Sequence, residues 1–190
     1  MKAFANFVGF QAVWFACVFG AARGAGWLGV VAGIVFALVC AERGRRVRSL
    51  AALALVGVVG CGVDSLQRAA GWIEYANPGL APVAEPWSSS TALAWPAALA
   101  PAWIVALWVA FGATFRSSMR WLGAYPVVRV VFALVGAPVS YLGAERMEAV
   151  VIQGDRASSL AFIGLAWAFG FPLAWWAEER VRGADVAPGA

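Results

Sequence analysis

Apolar residues fill the chain in long blocks, and the breaks between the blocks are short and charged. Six apolar runs, at residues 4–22, 26–41, 50–73, 96–115, 121–144 and 158–177, with Asp64, Arg68 and Arg129 their only charged residues, each approach the ~20 residues that one helix needs to cross a bilayer. The pattern predicts an all-α, polytopic integral membrane protein: a bundle of six transmembrane helices forming one domain over residues 1–182, with a short disordered tail at 183–190. The fourth boundary is the least sharp, because the uncharged stretch from Pro86 to Phe115 is too long for one crossing and contains Pro86, Pro96 and Pro101. Proline is tolerated in a first helical turn, so the fourth helix can start at Pro101, leaving 87–95 as an interfacial or re-entrant segment. The first run has the Lys2 and apolar stretch of a secretory signal. Asn6, Gln11 and Trp14 interrupt it, however, and five further runs follow, so it reads as the first membrane helix.

Composition agrees with this pattern. Of 190 residues, 63% are hydrophobic and only 13% charged, with a mean hydropathy of +0.78, whereas soluble domains are nearer half apolar and a quarter charged. A cytosolic enzyme is excluded. The net charge of +4 is accounted for by topology and does not call for a nucleic-acid partner, which would need a contiguous basic face. Histidine is absent, removing the usual neutral-pH proton shuttle and the commonest metal ligand. Cys17, Cys40 and Cys61 sit singly in apolar runs and read as small packing residues. No nucleophile elbow, phosphate loop or dinucleotide fingerprint is present, so the expectation is no catalytic residue, no metal and no cofactor.

Basic residues set the orientation. Lys2, the cluster Arg43, Arg45, Arg46 and Arg48, the pair Arg116 and Arg120, and Arg180 with Arg182 all fall on one side of an alternating six-helix chain. Both termini are therefore expected in the cytoplasm. Trp27, Trp72, Tyr75 and Trp95 then mark the outer interface and Trp121, Trp175 and Trp176 the inner one. Glu145, Arg146 and Glu148 fall at the outer mouth as solvated surface.

Small residues at three- and four-residue spacing mark faces where helices approach closely in lipid. Gly29, Gly33 and Ala37 form one such face. Gly57, Gly60, Asp64 and Arg68 form another, and Arg129, Ala133, Gly136 and Ser140 a third. If the third helix enters at Leu50 and the fifth at Trp121, Asp64 lies about 21 Å and Arg129 about 12 Å from the cytoplasmic side, a gap that an arginine can largely close. Arg68, four residues beyond Asp64, competes for the same carboxylate. The expectation is a shared polar cluster of Asp64, Gln67, Arg68 and Arg129, with Tyr141 beside it under the 75–95 segment. Three readings of it stay open: an ion pair that fixes helix packing, a lipid-headgroup or anion site, and proton or ion movement. Asn6 and Gln11 read as interhelical hydrogen-bonding residues.

The chain resembles a bacterial family of small inner-membrane proteins, the domain-of-unknown-function family 2878. The residues that carry the likeness are Asn6, Phe10, Gln11, Trp14 and Cys17, then Asp64, then Pro101, Trp103, Leu107, Trp108, Phe111 and Ser118, and finally Gly136, Pro138 and Tyr141. The family's turn after the fourth helix commonly reads Asn-His-Ser-Leu, where this chain has Arg116, Ser117, Ser118 and Met119; no imidazole role carries over. The resemblance implies no assigned activity and, through gene neighbourhood alone, a link to membrane-lipid modification. The expected function is an accessory or lipid-binding component, with membrane lipids and lipid-modifying enzymes as partners. A small secondary transporter or channel is second, and an intramembrane enzyme third. A lateral groove open to lipid beside Arg68 and Arg129 favours the first of these, a central aqueous cavity the second, and two converging acids the third.

Overall fold

The structure is a computed structural model and describes residues 3–76, 96 and 98–183. Among these, six helices follow one another: α1 (Ala3–Ala22), α2 (Trp27–Cys40), α3 (Arg46–Ala69), α4 (Ala102–Gly112), α5 (Pro126–Arg146) and α6 (Arg156–Arg182). Four helical stretches, Ala3–Ala22, Arg43–Ala69, Pro126–Arg146 and Arg156–Arg182, are long and apolar enough to cross a membrane. The other two are shorter than the six-crossing expectation, with 14 residues in α2 and 11 in α4. The 96–115 run is shortened at both ends: Pro101 stands just before the helix and Ala113 ends it. The 87–95 segment and most of the 183–190 tail lie outside the described residues.

Helix α4 is the axle of the bundle. Trp103, Ile104, Ala106, Trp108, Ala110 and Phe111 are all buried, which is the composition of a helix apolar all round and enclosed by neighbours. Helices α1, α2, α3 and α6 pack against it, and α6 in turn lies between α3 and α5. The small-residue faces of α2 and α3 explain how closely these helices fit. A Cβ on Gly29 would sit 2.6 Å from the Cys17 backbone, and one on Gly33 would sit 2.9 Å from the Ala106 carbonyl oxygen. The outer faces are apolar too: Val39, Val58, Leu66, Val127 and Phe169 are each at least 65% exposed, as expected of surfaces that meet lipid.

One element has no counterpart in the hydropathy pattern. Residues Ile73–Tyr75 (β1) and Val150–Ile152 (β2) pair antiparallel, with Ile73 opposite Ile152 and Tyr75 opposite Val150. Gln153 N donates to the Trp72 carbonyl and Ala76 N to that of Ala149, extending the ribbon at both ends. Glu145 is not merely solvated surface, since it accepts from Ile152 N at 3.1 Å and pairs with Arg156 at 2.7 Å. At the opposite end the basic residues converge: Arg116 and Arg182 both engage Glu178, and Arg182 also pairs with Glu42.

Candidate functional site

Asp64, five residues before the end of α3 and just beneath the ribbon, is completely buried. Among the described residues no cation pairs with it. Tyr75 OH donates to its Oδ1 at 2.6 Å, Tyr141 OH donates to the same oxygen, Gln67 Nε2 donates at 3.2 Å, and Trp108 Nε1 donates to Oδ2 at 2.6 Å. Four donors from four different elements converge on this one carboxyl group, three on Oδ1 and one on Oδ2. Two of the chain's three tyrosines are spent here, and their hydroxyls lie 3.5 Å apart. Tyr75 is thus a buried ligand of Asp64 on β1 and not an interface marker. Trp175, expected at the inner interface, is likewise buried.

The site depends on glycine at position 60. A Cβ there would fall 1.9 Å from Trp108 Cγ, so the indole lies flat on bare backbone one turn before Asp64 and its N–H reaches the carboxylate. On its other face Trp108 stacks on Trp167, with ring centroids 4.1 Å apart.

Of the residues the sequence grouped, Asp64, Gln67 and Tyr141 lie together, and Arg68 and Arg129 lie elsewhere. Arg68 Nη1 donates to the Leu99 carbonyl at 3.0 Å. The Arg129 guanidinium sits 4.7 Å over the Trp175 ring, whose N–H is held by Glu179 at 2.8 Å. The physical reason is where the helices begin. Helix α3 starts at Arg46, placing Asp64 about 27 Å from the basic end. Helix α5 starts at Pro126 after a 3-10 turn at Arg120–Ala124, placing Arg129 only about 4.5 Å from that end. With α6 interposed as well, no arginine side chain bridges the two.

The α5 stripe has a different purpose from that of a packing face. Ala133, Gly136, Ser140 and Tyr141 line a cavity of about 590 Å³ between α1 and α5, within the size range of small-molecule sites. A Cβ on Gly136 would meet nothing closer than its own helix's Phe132, at 4.0 Å. Helices α1 and α5 are not packed together; near the ribbon end they meet through the Trp14 ring, 3.5 Å from the Cβ position of Gly143. The cleft is therefore lateral, with Phe7, Phe15, Phe132 and Val139 all exposed at its rim. Its walls are aromatic and aliphatic, and Asp64 and Tyr141 lie at its inner edge.

The two polar residues of α1 part company. Asn6 is buried and fully used: Nδ2 donates to the Ala113 carbonyl at 3.2 Å, and Oδ1 accepts from Ser118 N at 3.3 Å and Ser118 Oγ at 2.7 Å. Gln11 instead faces the cleft. Sequence reasoning missed Tyr75, Trp108 and the cleft itself. The one signal that was available was the unpartnered glycine stripe of α5.

An apolar helical bundle with crossing-length helices, a buried carboxylate cluster and a lateral cleft is a polytopic membrane-type architecture. The chain matches the family described as "Protein of unknown function (DUF2878)" over residues 3–173 and belongs to it. No curated protein and no solved structure matches it. The matched region includes the cleft and Asp64 with all four donors, and it ends before Glu178 and Arg182.

Proposed function

We propose that this protein binds lipid, taking one apolar chain from the surrounding bilayer into the cleft between α1 and α5. The observation that carries the reading is the pairing of an open α1/α5 seam with a glycine-bearing wall that no helix fills. The lining runs from Phe7 to Val18 on α1 and from Phe132 to Ala144 on α5, about 16–18 Å along the helix axes. That is slightly more than one leaflet's share of a ~30 Å hydrocarbon core, so the cleft suits a chain from a single leaflet. The arginines gathered at the far end from the ribbon support a bacterial inner-membrane location with both termini cytoplasmic. The short helices α2 and α4 would then complete six passes, with α4 shielded from lipid. A role as an accessory to membrane-lipid-modifying enzymes is the finer form of the same reading.

The test is lipid content. Wild-type protein purified in mild detergent should retain a stoichiometric lipid after extraction and mass spectrometry. Gly136→Leu, which extends a side chain into open cleft space, should lose most of it at an unchanged melting temperature. Equal lipid content in the two proteins would refute the reading.

A further inference from the structure

We infer that the cleft selects an uncharged lipid whose polar end is read by Gln11; this rests on the lipid-binding reading above and names the ligand's chemistry. The first argument is charge. Among the described residues no lysine or arginine lines the cleft, and the one carboxyl group at its wall is that of Asp64. An anionic headgroup or free fatty acid drawn into this space would find no counter-ion in a low-dielectric surround, which disfavours the charged form.

The second argument is the supply of donors. A carboxylate can coexist with an anionic ligand where N–H or O–H groups beside it are spare, but the four that reach Asp64 are already committed. Tyr75, Tyr141, Trp108 and Gln67 all donate to Asp64. What remains among the described residues is the Gln11 amide, half-buried on the α1 wall and without a hydrogen-bond partner, together with the Ser140 hydroxyl and the buried, unpartnered Trp167 Nε1–H. An amide offers two donors and an acceptor, and in an apolar wall it is left unsatisfied unless something supplies the complement. Asn6, one and a half turns away on the same helix, has every such partner. The complement that fits Gln11 is a neutral group that accepts or donates hydrogen bonds, namely a hydroxyl or a carbonyl on an apolar chain.

The experiment measures binding of three radiolabelled C18 probes with the same unsaturated chain character to detergent-solubilised full-length protein: monooleoylglycerol, oleate at pH 8 and 1-octadecene. Wild-type protein should bind monooleoylglycerol at least tenfold more tightly than either of the others. Gln11→Leu should abolish the preference over octadecene while leaving octadecene affinity within twofold, and Gln11→Asn should restore part of it. Oleate binding as tight as monooleoylglycerol would overturn the neutral-ligand inference. An unchanged preference in Gln11→Leu would overturn the role of Gln11. Both failures leave lipid binding standing, whereas insensitivity of all three probes to Gly136→Leu would refute the cleft itself.

Discussion

The Trp108 indole rests on the bare backbone of Gly60, with Cγ 1.9 Å from where a Cβ would be, and from there its N–H reaches Asp64 Oδ2 at 2.6 Å. Gly60→Ala should therefore dislodge the ring and strip a donor from the carboxylate. The expected loss is about 2–4 kcal/mol of unfolding free energy, combining overpacking with a broken charge-assisted hydrogen bond. Trp108→Phe isolates the second part, at about 1.5–3 kcal/mol. Denaturation in detergent measures both, and a wild-type transition in Gly60→Ala would show that the indole does not depend on this position.

The two phenols on Asp64 Oδ1 touch each other as well as the acid. Tyr75→Phe and Tyr141→Phe should each cost about 1.5–3 kcal/mol. Because they share partners, a double-mutant cycle should give a coupling of at least about 0.5 kcal/mol. Strict additivity would contradict the shared cluster.

Much of this cluster was legible beforehand, and what was not has a definite cause. Helical spacing put Gly57, Gly60 and Asp64 on one face, and that face is buried. Gly29 and Gly33 meet Cys17 and Ala106 as small-residue faces should. Chain order, however, says nothing about which helices are neighbours, so α6 between α3 and α5 was invisible, and with it the separation of Arg129 from Asp64. Three-residue strands carry too little pattern to separate from helix ends, so Tyr75 looked like an interfacial residue. The α5 stripe of Ala133, Gly136 and Ser140 reads identically whether it admits a helix or a ligand.

Gly164 and Gly136 should diverge when each is changed to alanine. Pro138 has no N–H for the Leu134 carbonyl, and Gly164 of α6 packs directly over that oxygen, where a Cβ would sit at 2.6 Å. Gly164→Ala should cost about 1–3 kcal/mol through overpacking. Gly136→Ala faces open cleft and should be neutral or more stable by up to about 1 kcal/mol from helix propensity. Parallel melting curves of the two variants check the contrast.

Glu178 is 2% exposed and is shared by Arg116 and Arg182. Glu178→Gln should destabilise by about 3–5 kcal/mol, since two guanidiniums lose their common partner. Glu42, half exposed in its pair with Arg182, should matter by at most about 1 kcal/mol. Comparable losses for Glu178→Gln and Glu42→Gln would contradict this ranking.

Asp155 begins α6 by accepting from Ser158 N at 2.9 Å and Ser158 Oγ at 2.7 Å. The backbone N–H and the hydroxyl of Ser158 hold its carboxyl below the ordinary Asp range. A depressed carboxylate stabilises above its unfolded pKa, and this stabilisation fades as pH falls through the folded one. Amide exchange at 156–159, corrected for intrinsic rates, should therefore lose protection below about pH 4 in the wild type and stay flat with pH in Asp155→Asn, which caps without titrating. Parallel pH profiles would remove the cap from the account.

Helix α2 rises only about 21 Å over its 14 residues, yet its outer face, with Val31, Ile34, Val35 and Val39 at least half exposed, is fully apolar. The hydrocarbon core it would have to match as one of six passes is ~30 Å thick. Mismatch of this sign draws the two leaflets together beside the short helix, whereas the 21 residues of α5 and 27 of α6 meet the bilayer at full depth. On the six-pass reading proposed above, the protein would therefore sit in a membrane collar of uneven height, pinched along α2, and would concentrate where the host bilayer is already thin.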